Sequence, residues 1–367
     1  MRRISKYDLV NLSNSILKHY DVPTFHNSIA ELDEMLKGHK KIVILLFDGM
    51  GKNIIEKHLK ETSFIRRNFS LTIDSTFPPT TAAATTALLS GRYPIETGWV
   101  AWDAYFKALD RNVILFKNVD YNTDEEIDNN YVSEAIKYQG IVDLINEKDP
   151  ENNASLMQKY PICKDGPKTI RDSYKKLNKL LKTSEKCFVY YYFDSPDYEM
   201  HANGIDCPLI KCKCKKIDRF VKKISQAHKD TLFITLADHG HVNVTRLDID
   251  RYPVLKRMLR NKVSGEKRST QFFVKPEYLR AFKEMFLEIY GDKFELLSKK
   301  EVYKEGLFGE GTPHPLFDDM MGDYLAISKD KYSLISNSDF YKTTPFKGEH
   351  AGGTVEEKLI NVSVINK

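Results

Sequence analysis

Four stretches of the chain carry carboxylates and imidazoles in patterns suited to a divalent cation. Asp48 follows the apolar run Ile42–Phe47 and precedes Gly-Met-Gly. Asp197 and His201 stand at i, i+4 in SPDYEMH, a spacing that turns both side chains toward one point on a helical turn or tight loop. Asp194 competes with Asp197 for that role because it lies nearer the end of the preceding apolar run. Asp238 is joined directly to His239 after Leu232–Ala237, and His350 stands before Ala-Gly-Gly with no apolar stripe to support. These are three carboxylates and three imidazoles in separated loops. Clustered carboxylates repel unless cations neutralise them, and mixed oxygen and nitrogen donors suit zinc or a comparable ion. His241 reads as a spare imidazole, supporting the ligands or lying at the surface.

A hydroxyl supplies the second kind of chemistry. In PPTTAAATTALLSGRYP, Pro78 and Pro79 hold the chain extended, Ala82–Leu89 is built of helix formers, and Ser-Gly stops the helix. Thr80 or Thr81 then sits at the helix start, where free N–H groups and the dipole favour an anion. A threonine there can cap the helix, or it can attack phosphorus if a metal activates its oxygen. Beyond Gly98, the aromatic residues Trp99, Trp102, Tyr105 and Phe106 either wall a base or ring or pack under a loop. His314, in the Gly/Pro-rich loop Phe308–Pro315, is a candidate substrate contact. Cys207, Cys212 and Cys214 lack the paired spacing of a zinc site and read as free thiols.

These residues require strands that end close together. Lys41–Phe47, Phe188–Phe193 and Leu232–Ala237 are short, rich in β-branched and aromatic residues, and continuous rather than alternating, as in strands buried on both faces. Ligands in such sheets gather at the carboxyl ends of the strands. The expectation is an α/β fold with a central, mostly parallel sheet. Residues 1–40 form a helical N-terminal extension, 41–244 the first part of the core and 245–345 a cap. Residues 346–367 return to the core with the last ligand and a closing strand. The 367 residues suffice for one such domain with a cap. A 41% apolar, 29% charged composition is that of an ordinary globular chain, and a net charge of +5 calls for neither nucleic acid nor membrane. No apolar run reaches the length of a membrane span. An odd five cysteines and the lack of an apolar signal core point to the cytoplasm.

In order and spacing, these motifs resemble the alkaline phosphatase superfamily, and within it the type I phosphodiesterase/nucleotide pyrophosphatase family. Pro196-Asp197-Tyr198-Glu199-Met200-His201 matches the family's Pro-Asp-x-x-x-His motif, which favours Asp197 over Asp194. Counting back from Gly91 in SGRYP places the family's nucleophile at Thr81 rather than Thr80. The resemblance implies a three-layer sandwich with a smaller cap region. It also implies two divalent ions, zinc or alternatively manganese. One is held by Asp48, Thr81, Asp238 and His239, the other by Asp197, His201 and His350. Hydrolysis of phosphodiester or phosphoanhydride bonds would pass through a phosphothreonine at Thr81. The substrate is a small phosphate ester or nucleotide, with Trp99, Trp102 and His314 as its contacts; no membrane association and no stable nucleic-acid complex are expected. Two departures stand out: Met200 where many members have Gly, and Ala82-Ala83-Ala84 where they have Phe-Pro-Asn. A phosphomonoesterase, a phosphonate hydrolase and a non-catalytic metal-binding module are the alternatives.

Overall fold

The computed structural model describes residues 3–159, 162–336 and 346–366. Its centre is a six-stranded sheet of β1 (Lys41–Phe47), β2 (Phe69–Asp74), β3 (Ser155–Gln158), β4 (Cys187–Phe193), β5 (Thr231–Leu236) and β6 (Leu359–Ile365), in the order β2-β6-β5-β1-β4-β3. β1 pairs in parallel with β4 and β5, and β3 with β4, while β6 runs antiparallel to both neighbours. Every residue of β1, β4 and β5 is buried, which explains why these runs do not alternate. Both faces are covered. On one, Phe47 and Tyr191 meet Phe220 of the helix Pro208–Ala227, and the Tyr191 hydroxyl donates to Ser173 of the helix Ile170–Thr183. On the other, Phe188 meets Tyr20, at the end of the helix Leu9–His19.

Register brings the strand ends together. Phe47 lies opposite Phe193 and Leu46 opposite Leu236, so the loops bearing Asp48, Asp197 and Asp238 leave one edge side by side. Because β6 is antiparallel, its first residue, Leu359, pairs with Asp74 at the end of β2. The loop before β6 therefore delivers His350 to the edge at which the parallel strands finish.

Within residues 1–40 helices span Leu9–His19 and Ala30–Leu36, and Leu9, Leu12, Ile16, Leu32 and Leu36 join the same core as the sheet. Ser264–Glu266, Ser269–Phe272, Phe294–Ser298 and Tyr324–Ser328 make a separate four-stranded antiparallel sheet. It packs on the helix Leu279–Tyr290 through Phe272, Phe282, Phe286 and Phe294. The last part of the expected cap, residues 337–345, lies outside the described residues. Two local features go beyond the sequence reading. The helix that carries Cys212 and Cys214 spans Pro208–Ala227, its proline accommodated in the first turn. Residues 103–120, unreadable from periodicity, form a small antiparallel sheet. Among the described residues, no helix is long and apolar enough to cross a membrane.

Candidate metal centre

Close backbone approach lets the loops after β1 and β5 share one small space. A Cβ on Gly51 would stand 2.5 Å from the Gly240 Cα, and one on Gly240 would stand 1.9 Å from the Glu356 carbonyl oxygen. Only glycine permits these contacts. Asp48 N–H donates to the Phe193 carbonyl at 3.0 Å, and Gly49 N–H donates to Asp238 Oδ1 at 3.1 Å. Asp197 N–H donates to the Asp48 carbonyl at 3.1 Å. The His350 loop is pinned by a buried ion pair. Arg268 grips Glu357 at 2.7 and 2.9 Å, and Glu357 accepts from Gly352 N–H at 2.7 Å.

Within this frame the seven predicted side chains converge. His239 Nε2 is 3.3 Å from Asp48 Oδ1 and 3.5 Å from Asp238 Oδ2. Thr81 Oγ1 lies 3.2 Å from His239 Nε2 and 3.4 Å from Asp48 Oδ1. His201 Nε2 is 3.2 Å from Asp197 Oδ2, and His350 Nε2 is 3.8 Å from Asp197 Oδ1. The His239 and His350 rings stack at 3.8 Å. Each of these imidazoles has Nδ1 facing a backbone carbonyl: Gly348 for His201, Gly240 for His239 and Pro79 for His350. With Nδ1 turned to the carbonyl, Nε2 of each ring is aimed inward, as metal-binding histidines are held. Asp194 is instead paired with Lys159 at 2.7 Å.

The electrostatics demand a cation. Burial, then Asp238 and Asp197, hold the Asp48 carboxyl well above its ordinary range. Burial also raises Asp238, partly offset by His239. Burial would raise Asp197 too, yet His201, His241 and His350 carry it well below the ordinary value. His201 rises to about 9 because Asp197 outweighs its desolvation. Asp197 Oδ1 and Asp238 Oδ2 are buried without a hydrogen-bond partner among the described residues, an arrangement that is expensive unless a cation occupies the gap. Ligand atoms of Asp48, Asp238 and His239 form one group within 4.8 Å, those of Asp197, His201 and His241 a second, and those of Asp197, His239 and His350 a third that overlaps both. The donors therefore suit two divalent ions.

Thr80 takes the N-cap position of the helix Thr81–Ser90, which Gly91 ends in the left-handed conformation. Its hydroxyl does not cap; it donates to Glu266 at 2.6 Å. Trp102 N–H donates to the same oxygen at 2.7 Å, which places Trp102 beside the helix start. The Trp99 indole donates to the Ile136 carbonyl and packs on Phe116. His314 N–H donates to the Ile95 carbonyl, and its ring lies against Gly98. No contact among the described residues ties Trp99 or His314 to the carboxylate–imidazole cluster. The three cysteines Cys207, Cys212 and Cys214 are free.

Two residues near the site, Tyr192 and Glu266, escape the sequence reading, and for a third, His241, that reading leaves two places open. The Tyr192 hydroxyl donates to Asp48 Oδ2. Glu266 comes from the second sheet, and burial lifts its carboxyl to about 7. His241 is fully buried, not at the surface, with Nε2 3.2 Å from Asp197 Oδ1. Only for His241 was there a local signal, its i, i+2 position after His239.

The sequence pattern described as "Type I phosphodiesterase / nucleotide pyrophosphatase" matches residues 42–351. No curated protein sequence matches the chain. Among solved structures, an inactive threonine-to-alanine variant of murine ectonucleotide pyrophosphatase/phosphodiesterase 5 in complex with AMP superposes with a TM-score of 0.66 at 16% identity. The match covers 88% of this chain and 87% of that one. The human protein of the same name superposes with a TM-score of 0.64 at 15% identity, covering 89% of this chain and 87% of that one. At these identities the likeness is one of fold.

Proposed function

The chain belongs to the type I phosphodiesterase/nucleotide pyrophosphatase family of two-metal hydrolases in the alkaline phosphatase superfamily, and from that premise we propose that it hydrolyses phosphodiester or phosphoanhydride bonds of a small nucleotide-type substrate, with Thr81 as nucleophile. One observation carries this reading: the Thr81 hydroxyl opens a buried helix and stands 3.2 Å from His239 and 3.4 Å from Asp48. Asp48, Thr81, Asp238 and His239 would hold one ion, and Asp197, His201 and His350 the other. When bound, such ions polarise phosphoryl oxygens and lower the proton affinity of the threonine hydroxyl.

The remaining work falls to the chain itself. The helix Thr81–Ser90 offers its free N–H groups to phosphoryl oxygens, a donor array already in position before substrate arrives. Thr81 Oγ attacks phosphorus, the leaving group departs on the opposite side, and water then releases phosphate ester from phosphothreonine. Residues 245–345 act as the cap and set the leaving group, with Glu266 and Trp102 at its inner border. Binding of AMP by the murine relative favours a nucleotide moiety. Arg92, the first basic residue after Thr81 in the chain, has its guanidinium 3.6 Å over the Phe25 ring rather than on a third phosphate oxygen, which favours diesters over monoesters. The carboxylate–imidazole donors favour zinc or manganese over magnesium. Five free cysteines favour a cytoplasmic location.

The test is kcat/KM of metal-loaded protein on bis-p-nitrophenyl phosphate, a nucleoside p-nitrophenyl monophosphate, p-nitrophenyl phosphate and phosphonoacetate. The diesters are expected to lead. Monoester turnover about tenfold above either diester, roughly 1.4 kcal/mol of transition-state preference, would reverse the substrate class.

A further inference from the structure

We propose that His241 is itself a metal ligand, joining Asp197 and His201 on one ion. This rests on the two-metal reading above and adds a residue that the family motifs do not supply. His241 is fully buried, and neither of its ring nitrogens has a hydrogen-bond partner among the described residues. Other buried or half-buried imidazoles are satisfied: His19 by the His39 carbonyl, His58 by the Ile205 carbonyl and His228 by Asn178. A buried imidazole left without hydrogen-bond partners is destabilising, so the exception needs a cause.

Geometry supplies one. His241 Nε2 and His201 Nε2 lie 3.2 Å from opposite oxygens of the Asp197 carboxylate. The facing oxygen, Asp197 Oδ1, is likewise unpartnered and does not meet His241 with hydrogen-bond geometry. Donors about 2.1 Å from a tetrahedral ion are separated by roughly 3.4 Å, which these two contacts approach more closely than the 3.8 Å from His350 to Asp197. One ligand atom from each of Asp197, His201 and His241 falls within 4.8 Å of the others. His350 reaches the same Asp197 in a group with His239, over which it stacks.

The backbone holds His241 in this position. Asn53 Nδ2 donates to its carbonyl at 2.7 Å, and the next residue, Val242, pairs with Glu349. The ring rests against Gly348, where a Cβ would come within 2.8 Å of His241 Cε1. The same Gly348 carbonyl orients His201. A single glycine thus makes room for one imidazole and aims the other.

The experiment titrates metal-free wild type and His241→Met with Co2+ against a chromophoric chelator, and follows the visible cobalt spectrum. His241→Met should weaken one of the two ions by about tenfold or more and change its cobalt bands, while the other ion binds as before. In wild type loaded with 113Cd, 15N-histidine NMR should show cadmium coupling at Nε2 of both His201 and His241, a reading that does not depend on the variant folding. Coupling at His201 without coupling at His241, or identical cobalt titrations for the two proteins, overturns the proposal. Uptake of less than one ion by wild type would overturn the two-metal reading and this inference with it. Normal uptake and coupling without phosphodiester turnover would leave His241 a ligand and reject only the assigned reaction.

Discussion

Two buried groups of charges, linked through the loop that carries His350, behave in opposite ways. Arg268 and Glu357 have no exposed side-chain surface, yet each is fully answered. Arg268 reaches both Glu357 oxygens and the carbonyls of Asp330 and Tyr332, and Glu357 also accepts from Thr354 and Gly352. Asp48, Asp197 and Asp238 are equally hidden but face one another and a set of imidazoles, leaving buried carboxylate oxygens unpartnered. The first group joins the second sheet to the loop carrying His350. The second is incomplete without cations. A buried charge that brings its own counter-charge is structural; one that lacks it marks a place prepared for a ligand.

The sharpest way to separate the two is to remove the nucleophile alone. Thr81→Ala should leave both ions bound and lower diester turnover by about 10³-fold or more, roughly 4 kcal/mol in barrier. Metal analysis beside steady-state kinetics checks it. A near wild-type rate in Thr81→Ala with loss in Thr80→Ala would shift the nucleophile by one position.

The answered pair should respond in stability rather than chemistry. Arg268→Met strands the Glu357 carboxylate and is expected to cost about 3–5 kcal/mol in urea unfolding. Replacing both partners with apolar residues should recover much of that loss. If the single variant were as stable as wild type, the contrast between the two groups would fail.

Asp238→Asn should act on the cluster in the other direction. In metal-free protein, removing one of three facing carboxylates relieves repulsion and raises Tm by a few degrees, on the order of 1–2 kcal/mol. The same variant should lose most of the Tm rise that Zn2+ gives wild type. A metal-free Tm below that of wild type would show that its backbone hydrogen bonds outweigh the repulsion.

Glu266 gives the smallest and most pH-specific effect. Its folded carboxyl titrates at about 7 against an ordinary 4.5, so the folded chain keeps the proton longer than the unfolded one. The stability from this group is complete below about 4.5 and is lost as pH rises through 7. Glu266→Gln keeps an acceptor for Thr80 and Trp102 without the charge. In metal-free protein it should match wild type near pH 4.5 and exceed it by on the order of 1 kcal/mol at pH 8, read from Tm at the two pH values. Equal stability at both would mean that Glu266 ionises freely.

Much of the site was legible because its signals are local. KIVILLFDG, CFVYYYFDSPD and TLFITLADH each carry a complete strand and the carboxylate ending it, and burial on both faces requires nothing beyond that run. The i, i+4 pair Asp197 and His201 and the helix opened by Thr81 are likewise written within a few residues. What lay beyond the sequence depends on contacts between distant segments. Glu266 reaches Thr80 only because the second sheet folds over the helix start. His241 meets Asp197 only because Val242 pairs with Glu349 and Gly348 leaves space for the ring. Periodicity reports which face of an element is apolar. Strand pairing and loop approach decide which polar groups then share a pocket, and neither has a signature in the order of neighbouring residues.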